Sequence, residues 1–318
     1  MTIIDSHVHV NYEGSTLTKL IRYLDEEHID YCWVLSWEEV NPGNWGYNHL
    51  PVEDIYDAFL KYPSRIIPFY AADPHRNDAP LQMEKWFQKG IRGYGELKAT
   101  LNWDSQQMTP VLRKARELKM PIVFHMEESE NRNIPYSNKI WDKVFFYGVK
   151  NENKIYRIPR NILLILEKHF APLKQRQKSY FFPGYMLDFA SLEATLLEYP
   201  EVKFVAHGQM FWKYISADGV DRKEMYPKGQ IVGSGVIWRL LRDYPNLYAD
   251  TSATSGFNAL KRDAENAKRF LSLFQDKILY GTDGLMSGQR EFFKSLGLSK
   301  KALDKIFGDN AKNIISLS

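Results

Sequence analysis

The 318-residue sequence predicts an α/β fold, specifically a (β/α)8 TIM barrel with a long insertion after strand five. Strand-like apolar runs alternate with amphipathic helical segments, which is typical of parallel βαβ units. Eight such runs occur along the chain, and right-handed crossovers can close eight parallel strands into a barrel. Chemically active side chains also collect at the ends of these runs, where the active sites of barrel enzymes lie.

An open doubly wound sheet is the competing architecture. Such sheets usually have fewer strands, and the nucleotide-binding versions carry a G-x-G-x-x-G turn after a strand. The glycine-rich turn in this chain, Gly93-Tyr94-Gly95, does not follow that pattern. We therefore favour the barrel.

The first half of the chain supplies five of the strands. Each is an apolar run bounded by polar residues, glycine or proline, and they are predicted at Ile3–Val10, Ile29–Ser36, Ile66–Ala72, Ile91–Lys98 and Pro121–Glu127. Amphipathic helices separate these runs. Ser15 or Thr16 is the expected cap of the first helix, and Pro51 is the expected first residue of the second.

The alternation pauses after the fifth strand. Residues Glu128–Tyr185 are dense in aromatic and basic side chains, and one helix is recognisable around Ile162–Phe170. A structureless stretch of this length is uncommon inside a compact domain, so we interpret the segment as a partly helical lid. A separate domain is less favoured because so short a segment buries only a small core. The predicted organisation is one barrel domain, residues 1–318, with 128–185 as a lid-like insertion.

The last three strands follow the insertion. They are predicted at Val202–His207, Leu247–Ser252 and Ile278–Asp283, with helices between them. A second long loop is expected at Gly208–Gly229.

The composition argues against several classes of function. The formal net charge of +3 is spread along the chain without a Lys/Arg block, so nucleic-acid binding has no support. No apolar run approaches the roughly 18 residues of a membrane helix. The N-terminus lacks the basic region of a signal peptide, so a cytoplasmic protein is expected. The single cysteine, Cys32, excludes an internal disulfide and is expected to pack inertly.

Four of the eight histidines fall at predicted strand ends, together with acidic residues and one lysine. In chain order these side chains are His7, His9, Glu96, Lys98, His125, Glu127, His207 and Asp283. Alternation along the first strand also places Asp5 on the same face as His7 and His9. Neutral imidazole nitrogens suit zinc, iron or nickel. A hydrogen-bonded core histidine or a turn aspartate explains any one position, but these explanations must hold on five strands together, so we predict a metal site.

These strand ends also resemble those of a known family. The matching stretches are Asp5-Ser6-His7-Val8-His9, Ile122-Val123-Phe124-His125, Phe204-Val205-Ala206-His207-Gly208, Gly281-Thr282-Asp283 and the closing Gly308-Asp309-Asn310-Ala311. They resemble the amidohydrolase superfamily, specifically the amidohydrolase-related group that includes the aminocarboxymuconate-semialdehyde decarboxylase-like enzymes. The resemblance implies that a divalent metal, zinc by preference, is held by His7, His9, His125 and Asp283. It also implies that His207 contacts the bound water or the substrate.

The fourth strand departs from the single-metal pattern of that group. Gly93-Tyr94-Gly95-Glu96 resembles the Gly-Glu of TatD-type nucleases, in which the glutamate bridges two metals. Lys98 is the alternative bridge, by resemblance to the carboxylated lysine of other binuclear members. Glu96 is therefore included among the expected ligands, and either one or two metal ions remain compatible with the sequence.

Three functions are compatible with this site. The first is a metal-dependent hydrolase of a C–N or C–O bond in a small substrate, with Asp283 moving the proton and His207 stabilising oxyanion charge. The second is a metal-dependent decarboxylase, which a fixed arginine near the substrate would favour; Arg92 lies too early on its strand, and Arg132, Arg157 and Arg290 lie in loops. The third is a non-catalytic binding barrel, which does not require Asp283. The expected partner is a small molecule, and a homo-oligomer is compatible with the sequence.

Overall fold

The computed structural model describes residues 1–12, 14–38, 49–135, 177–186, 188–221 and 223–315. The strands in these ranges are β1 (Ile4–Val8), β2 (Tyr31–Trp37), β3 (Ile66–Ala71), β4 (Tyr94–Leu97), β5 (Ile122–His125), β6 (Glu130–Pro135), β7 (Gln177–Phe182), β8 (Phe204–His207), β9 (Leu247–Asp250) and β10 (Ile278–Leu279). All strands except β6 and β7 pair in parallel, and β6 and β7 form a separate antiparallel hairpin.

The parallel strands form a ring. They are assigned to two sheets, in the orders β1-β2-β3 and β10-β9-β8-β5-β4. Backbone bridges join these sheets at both edges, between Phe69 and Gly93 and between Val8 and Asp283. At the second edge the amide of Asp283 donates to the carbonyl of His7 at 2.7 Å. The ring order is therefore that of a (β/α)8 barrel, and the predicted fold class is confirmed.

Helices follow the barrel strands and cover the outside of the ring. They are α1 (Leu17–Glu26), α2 (Val52–Lys61), α3 (Ala79–Gln88), α4 (Met108–Glu117), α5 (Phe189–Glu198), α6 (Gln209–Lys213), α7 (Val236–Asp243), α8 (Ala253–Lys261), α9 (Ala264–Leu273), α10 (Gln289–Ser295), α11 (Lys300–Asp304) and α12 (Asn310–Ile314). Thr16 caps α1, as the sequence predicted, by accepting from the amide of Lys19 at 3.3 Å. In the described ranges no helix combines the length and the apolar composition that a membrane span requires.

Apolar side chains fill the barrel below the strand ends. One buried cluster inside the ring contains Ile4, Trp33, Leu35, Ile67, Phe69, Val123, Val205 and Leu279. Trp33 stacks on Phe69 with ring centroids 4.8 Å apart. A Cβ atom at Gly93 would lie 1.9 Å from the Phe69 ring, so only glycine allows β3 and β4 to meet there. Burying each large side chain contributes about 1.5–3 kcal/mol, and this packing leaves the polar strand ends at the opposite mouth.

The structure corrects three local predictions. The loop expected at Gly208–Gly229 contains α6 and a 3-10 turn at Ala217–Asp221. The eighth barrel strand ends at Leu279 rather than Asp283. Pro51 precedes α2 as its N-cap instead of starting it. The insertion opens and closes with the β6–β7 hairpin, while the helix predicted at Ile162–Phe170 lies outside the described residues.

A β-bulge corrects the predicted face of Asp5. The pairing of β1 with β2 shifts between Asp5 and Val8, which breaks the strict alternation of side chains. The Asp5 carboxylate accepts from Tyr23 of α1 at 3.1 Å and from the Thr282 hydroxyl at 2.6 Å. Asp5 therefore supports the wall of the barrel and does not join the histidines.

Candidate metal centre

The carboxyl ends of the barrel strands bring the predicted ligands together. Potential ligand atoms lie within 4.8 Å of one another in three overlapping groups, namely His7–His9–Glu96, His7–His207–Asp283 and Glu96–His125–His207. The histidines and Glu96 are buried, whereas the Asp283 side chain is 28% exposed. Each of the five predicted ligands, and also His207, therefore belongs to one connected cluster.

Glu96 lies between two pairs of imidazoles. Its Oε2 atom is 3.3 Å from Nε2 of His9 and 3.6 Å from Nε2 of His7. Its Oε1 atom is 2.8 Å from Nδ1 of His125 and 3.8 Å from Nε2 of His207. The register of the β4–β5 pairing shifts between Tyr94 and Leu97. Glu96 lies within this irregular part of the strand, and its carboxylate points into the barrel.

Outer acceptors orient three of the rings. Nδ1 of His7 lies 2.9 Å from Oδ2 of Asp250, and Nδ1 of His207 lies 3.1 Å from Oδ1 of the same carboxylate. Nδ1 of His9 lies 2.9 Å from the carbonyl oxygen of Leu35. Carboxylates and carbonyls only accept, so in the neutral rings that a metal requires, each Nδ1 carries the proton. The three Nε2 atoms therefore present their lone pairs to the centre of the cluster.

The buried donor set fits a divalent metal. Nε2 of His7 is fully buried and has no hydrogen-bond partner among the described residues. Leaving such an atom unsatisfied is costly, and nearly all buried polar groups in proteins find partners. A cation among imidazole nitrogens and carboxylate oxygens satisfies this atom, and zinc accepts both kinds of ligand.

His125 is oriented differently from the other histidines. Its Nε2 atom lies 2.9 Å from Oε1 of Gln209 and 3.2 Å from Oε2 of Glu127. The Gln209 amide in turn donates to Oε1 of Glu127 at 3.0 Å. Gln209 and Glu127 therefore hold the far side of the His125 ring, and Nδ1 faces Glu96.

Asp283 joins the cluster from the segment that follows the last barrel strand. Its Oδ1 atom is 3.1 Å from Nε2 of His9 and 4.0 Å from Nε2 of His7. Its backbone has a φ of 62°, in the left-handed region that aspartate tolerates better than most residues. The partly exposed side chain also lines the cavity above the cluster.

The charges of the cluster shift its pKa values strongly. Burial alone would lower the pKa of His7, but Asp250 and then Glu96 raise it well above its ordinary value. Burial is likewise outweighed at His125, where Glu127 and Glu96 raise the pKa to about 9. Burial would raise the pKa of the Glu96 carboxyl, but Lys98 and the histidines hold it well below its usual range. Without a metal, Glu96 is thus ionised beside the protonated rings of His7 and His125, whereas burial lowers the pKa of His207.

A cavity of about 320 Å³ opens above these residues. Its lining includes Tyr12, Lys98, Gln209, Tyr226, Thr254 and Met286. Nζ of Lys98 is 2.8 Å from Oε2 of Glu96 and lies 3.6 Å from the centre of the Trp37 ring. This volume suits a small molecule rather than a polymer.

The structure adds residues that the sequence analysis did not single out. Asp250, Ser252 and Gln209 all contact the predicted ligands directly. Asp250 ends β9, so the strand-end argument that found the histidines also applies to it. Gln209 could not be found by the strand-end argument, because it lies on the short helix α6 and not at the end of a strand.

The arginines considered for substrate binding do not line the described part of the cavity. Arg290 donates to the backbone carbonyl and carboxylate of Glu27, and Arg92 donates to the carbonyls of Phe87 and Ile91. Arg157 and the side chain of Arg132 lie outside the described part of the chain. Among lysine and arginine side chains, the one in the described lining is Lys98.

Comparisons with known proteins agree with this barrel. An uncharacterised TIM-barrel protein from Bordetella bronchiseptica has a TM-score of 0.57 at 13% identity, over 99% of this chain and 98% of that chain. A probable 2-pyrone-4,6-dicarboxylic acid hydrolase from Acinetobacter baumannii, crystallised with citric acid, has a TM-score of 0.55 at 14% identity, over 99% of both chains. A 5-carboxyvanillate decarboxylase from Sphingomonas paucimobilis has a TM-score of 0.52 at 14% identity, over 100% of this chain and 99% of that chain. These similarities concern the fold.

Curated protein sequences contain no match to this chain. The family model described as Amidohydrolase, in contrast, matches residues 4–317, which include every residue of the cluster. This match confirms the resemblance seen in the strand-end motifs. The chain belongs to the amidohydrolase family of enzymes.

Proposed function

We propose that this protein is a metal-dependent hydrolase that adds water across a C–N or C–O bond of a small substrate, with cyclic and aromatic compounds as the first candidates. The observation that carries the proposal is the position of Glu96 between two pairs of buried imidazoles, with the Asp283 carboxylate facing the cavity beside them. A shared carboxylate between two imidazole pairs suits two divalent ions better than one.

The ligands divide into two groups that share Glu96. The first ion would be held by His7, His9, Asp283 and Oε2 of Glu96, and the second by Oε1 of Glu96, His125 and His207. The ligand types favour zinc, which binds imidazole nitrogen and carboxylate oxygen. When bound, the metal supplies Lewis acidity and lowers the pKa of water to about 7.

Asp283 is the proposed proton carrier. Its side chain is 28% exposed, and burial of the rest would raise the pKa of its carboxyl, but His9 and the other histidines stabilise the charged form and lower this pKa, so the carboxylate is ionised and can accept a proton. It would accept the proton of the attacking water and later give it to the leaving nitrogen or oxygen. The net change adds one water across the cleaved bond.

His207 has two possible roles that depend on metal number. With two ions, His207 would be a ligand of the ion that Oε1 of Glu96 holds, because its Nε2 atom lies 3.8 Å from that oxygen. With one ion on His7, His9 and Asp283, its position in the cavity wall would let it stabilise oxyanion charge on the substrate once Nε2 also carries a proton. The number of metals per chain separates these roles.

Decarboxylation is the second candidate function. Lys98 favours it, because its buried ammonium group lines the cavity and a substrate carboxylate could pair with it. Both reactions use the same cluster, and the structural neighbours include a probable hydrolase and a decarboxylase.

A product assay distinguishes the two reactions. The metal-loaded protein is incubated with a panel of lactones, cyclic amides and aromatic carboxylic acids, and both released acid and released CO₂ are measured. Release of titratable acid without CO₂ supports hydrolysis. Release of CO₂ from the carboxylic acids, with no hydrolysis of the other substrates, would replace our proposal with the decarboxylase.

A further inference from the structure

Asp250 contacts one histidine from each of the two proposed ligand groups, at the ring nitrogen that faces away from the metal site. Its two carboxylate oxygens contact imidazoles on two different strands: Oδ2 is 2.9 Å from Nδ1 of His7 on β1, and Oδ1 is 3.1 Å from Nδ1 of His207 on β8. The Asp250 side chain is fully buried, and its own strand, β9, neighbours β8 in the sheet. We propose that Asp250 is the positioning residue that fixes the metal-binding tautomers of both His7 and His207, and this proposal rests on the proposed metal centre.

The two oxygens of Asp250 have different surroundings. Three donors converge on Oδ1, which are the amide of Ser252 at 3.0 Å, the hydroxyl of Ser252, and Nδ1 of His207. Among the described residues, Oδ2 contacts Nδ1 of His7. Ser252 also supports His207 directly, because its Oγ atom lies 2.7 Å from Nδ1 of that ring. His207 therefore has two acceptors, while His7 depends on Oδ2.

This asymmetry predicts what an amide would do at position 250. In Asp250→Asn the carbonyl oxygen must take the Oδ1 position, because an amide NH₂ there would face three donors. The NH₂ group then takes the Oδ2 position and donates toward Nδ1 of His7. His7 can accept that bond only by moving its proton to Nε2, which removes the lone pair that faces the metal site. The substitution therefore disables His7 selectively and leaves His207 in its original tautomer.

The experiment measures the tautomers and the metal affinity together. Wild-type protein and Asp250→Asn, both labelled with ¹⁵N-histidine, are loaded with zinc, and long-range ¹H–¹⁵N spectra identify the protonated nitrogen of each ring. We expect both His7 and His207 to carry the proton on Nδ1 in the wild type. In the variant we expect His7 to carry it on Nε2 while His207 is unchanged. Zinc affinity, measured by chelator competition, should fall roughly 10- to 100-fold.

Two further variants serve as controls. Asp263→Asn removes another hydrogen-bonded carboxylate, the N-cap of α9, which accepts from the amides of Asn266 and Ile231. It should reduce thermal stability without changing either the tautomers or the zinc affinity. Ser252→Ala should leave His7 unchanged, because Ser252 does not contact that ring in the described structure.

The outcomes separate this inference from the proposed function. A wild-type protein that binds no zinc would contradict the metal centre itself. A wild-type protein that binds zinc, with an Asp250→Asn variant of equal affinity and an unchanged His7 tautomer, would overturn the role of Asp250 alone. If the variant does not fold, the wild-type spectrum still decides, because a proton on Nε2 of His7 would contradict the proposal.

Discussion

Oδ1 of Asp283 lies 3.1 Å from Nε2 of His9, although these residues stand near opposite ends of the chain. The contact exists because the barrel closes there, with the backbone of Val8 bridged to that of Asp283. The site is therefore assembled by ring closure, and the aspartate reaches it from the segment that follows the last strand of the ring. Our predictions follow from this assembly.

Replacing Asp283 with Asn tests its role in proton transfer. Asparagine tolerates the left-handed backbone at this position and keeps one ligand oxygen, but it cannot accept the proton of water. We expect metal content to fall modestly and kcat to fall by roughly 10²- to 10⁴-fold. Elemental analysis and steady-state kinetics on the same preparation measure both effects.

A purely structural role for Asp283 leads to a different result. A turn aspartate would cost on the order of 1 kcal/mol of stability on substitution and leave turnover near the wild-type value. Normal kcat with metal retained would assign the proton transfer to another group, with Glu96 and His207 as the next candidates.

Replacing Glu96 with Gln tests whether this carboxylate is shared between two metals. An amide offers one neutral oxygen, so it cannot serve both imidazole pairs. We expect the variant to bind about one metal fewer per chain than the wild type. Glu193→Gln, which breaks an ion pair with Arg239 on the outside of the barrel, is the matched control and should keep the wild-type metal content. An unchanged metal content in Glu96→Gln would show that Glu96 is not a bridge.

Proton release should accompany metal binding. The metal-free site raises the pKa values of His7, His9 and His125, the last to about 9, and metal binding needs the neutral rings. Affinity for zinc should therefore increase with pH up to about 9. Calorimetry in buffers of different ionisation enthalpy counts the released protons, and an affinity that does not depend on pH would contradict these shifts.

The same shifts predict opposite pH dependences of stability with and without metal. Raised histidine pKa values stabilise the metal-free fold below the unfolded pKa of about 6.5, and this stabilisation is lost as pH rises toward the folded value, which is about 9 for His125. The metal-loaded protein should instead gain stability over this range, because metal binding becomes tighter. Melting temperatures of both forms between pH 6.5 and 9 give the comparison.

We propose that the insertion at 128–185 acts as a lid. The two ends of the insertion are close to the site. The backbones of Glu127 and Tyr185 are hydrogen-bonded to each other, and the centre of the Tyr185 ring lies 6.2 Å from the centre of the His125 ring. Pro135 and Gln177 are paired in the hairpin, so deleting 136–176 and joining them with Asn-Gly gives a two-residue turn. We expect this variant to fold as a barrel with an altered KM.

The control for this deletion is the metal content of the shortened protein, which should equal that of the full chain. Unchanged kcat and KM in a folded, metal-loaded variant would show that the segment does not cover the substrate.

The sequence predicted the barrel, and it singled out side chains that cluster at one mouth, because both depend on local patterns. Apolar runs and strand-end histidines are visible without knowing which strands are neighbours, and Glu96 was found by its place on the fourth strand. The predicted ligands meet in space.

Features that depend on tertiary contacts could not be predicted in this way. The bulge that turns Asp5 toward Tyr23 arises from the pairing of β1 with β2, and the period of two in the sequence cannot reveal it. β10 ends at Leu279, and Asp283 follows it with a left-handed backbone that the apolar run of the last strand does not predict. The link from Asp250 to two histidines depends on three strands meeting at one mouth.

The metal content of the wild-type protein tests the central claim most directly. Elemental analysis after expression with added zinc, manganese, iron or nickel should find about two divalent ions per chain, because Glu96 joins two ligand groups. One ion per chain would keep the metal-dependent mechanism and remove the bridging role of Glu96. Less than about 0.1 equivalent under every supplement would contradict the metal centre and the hydrolase built on it.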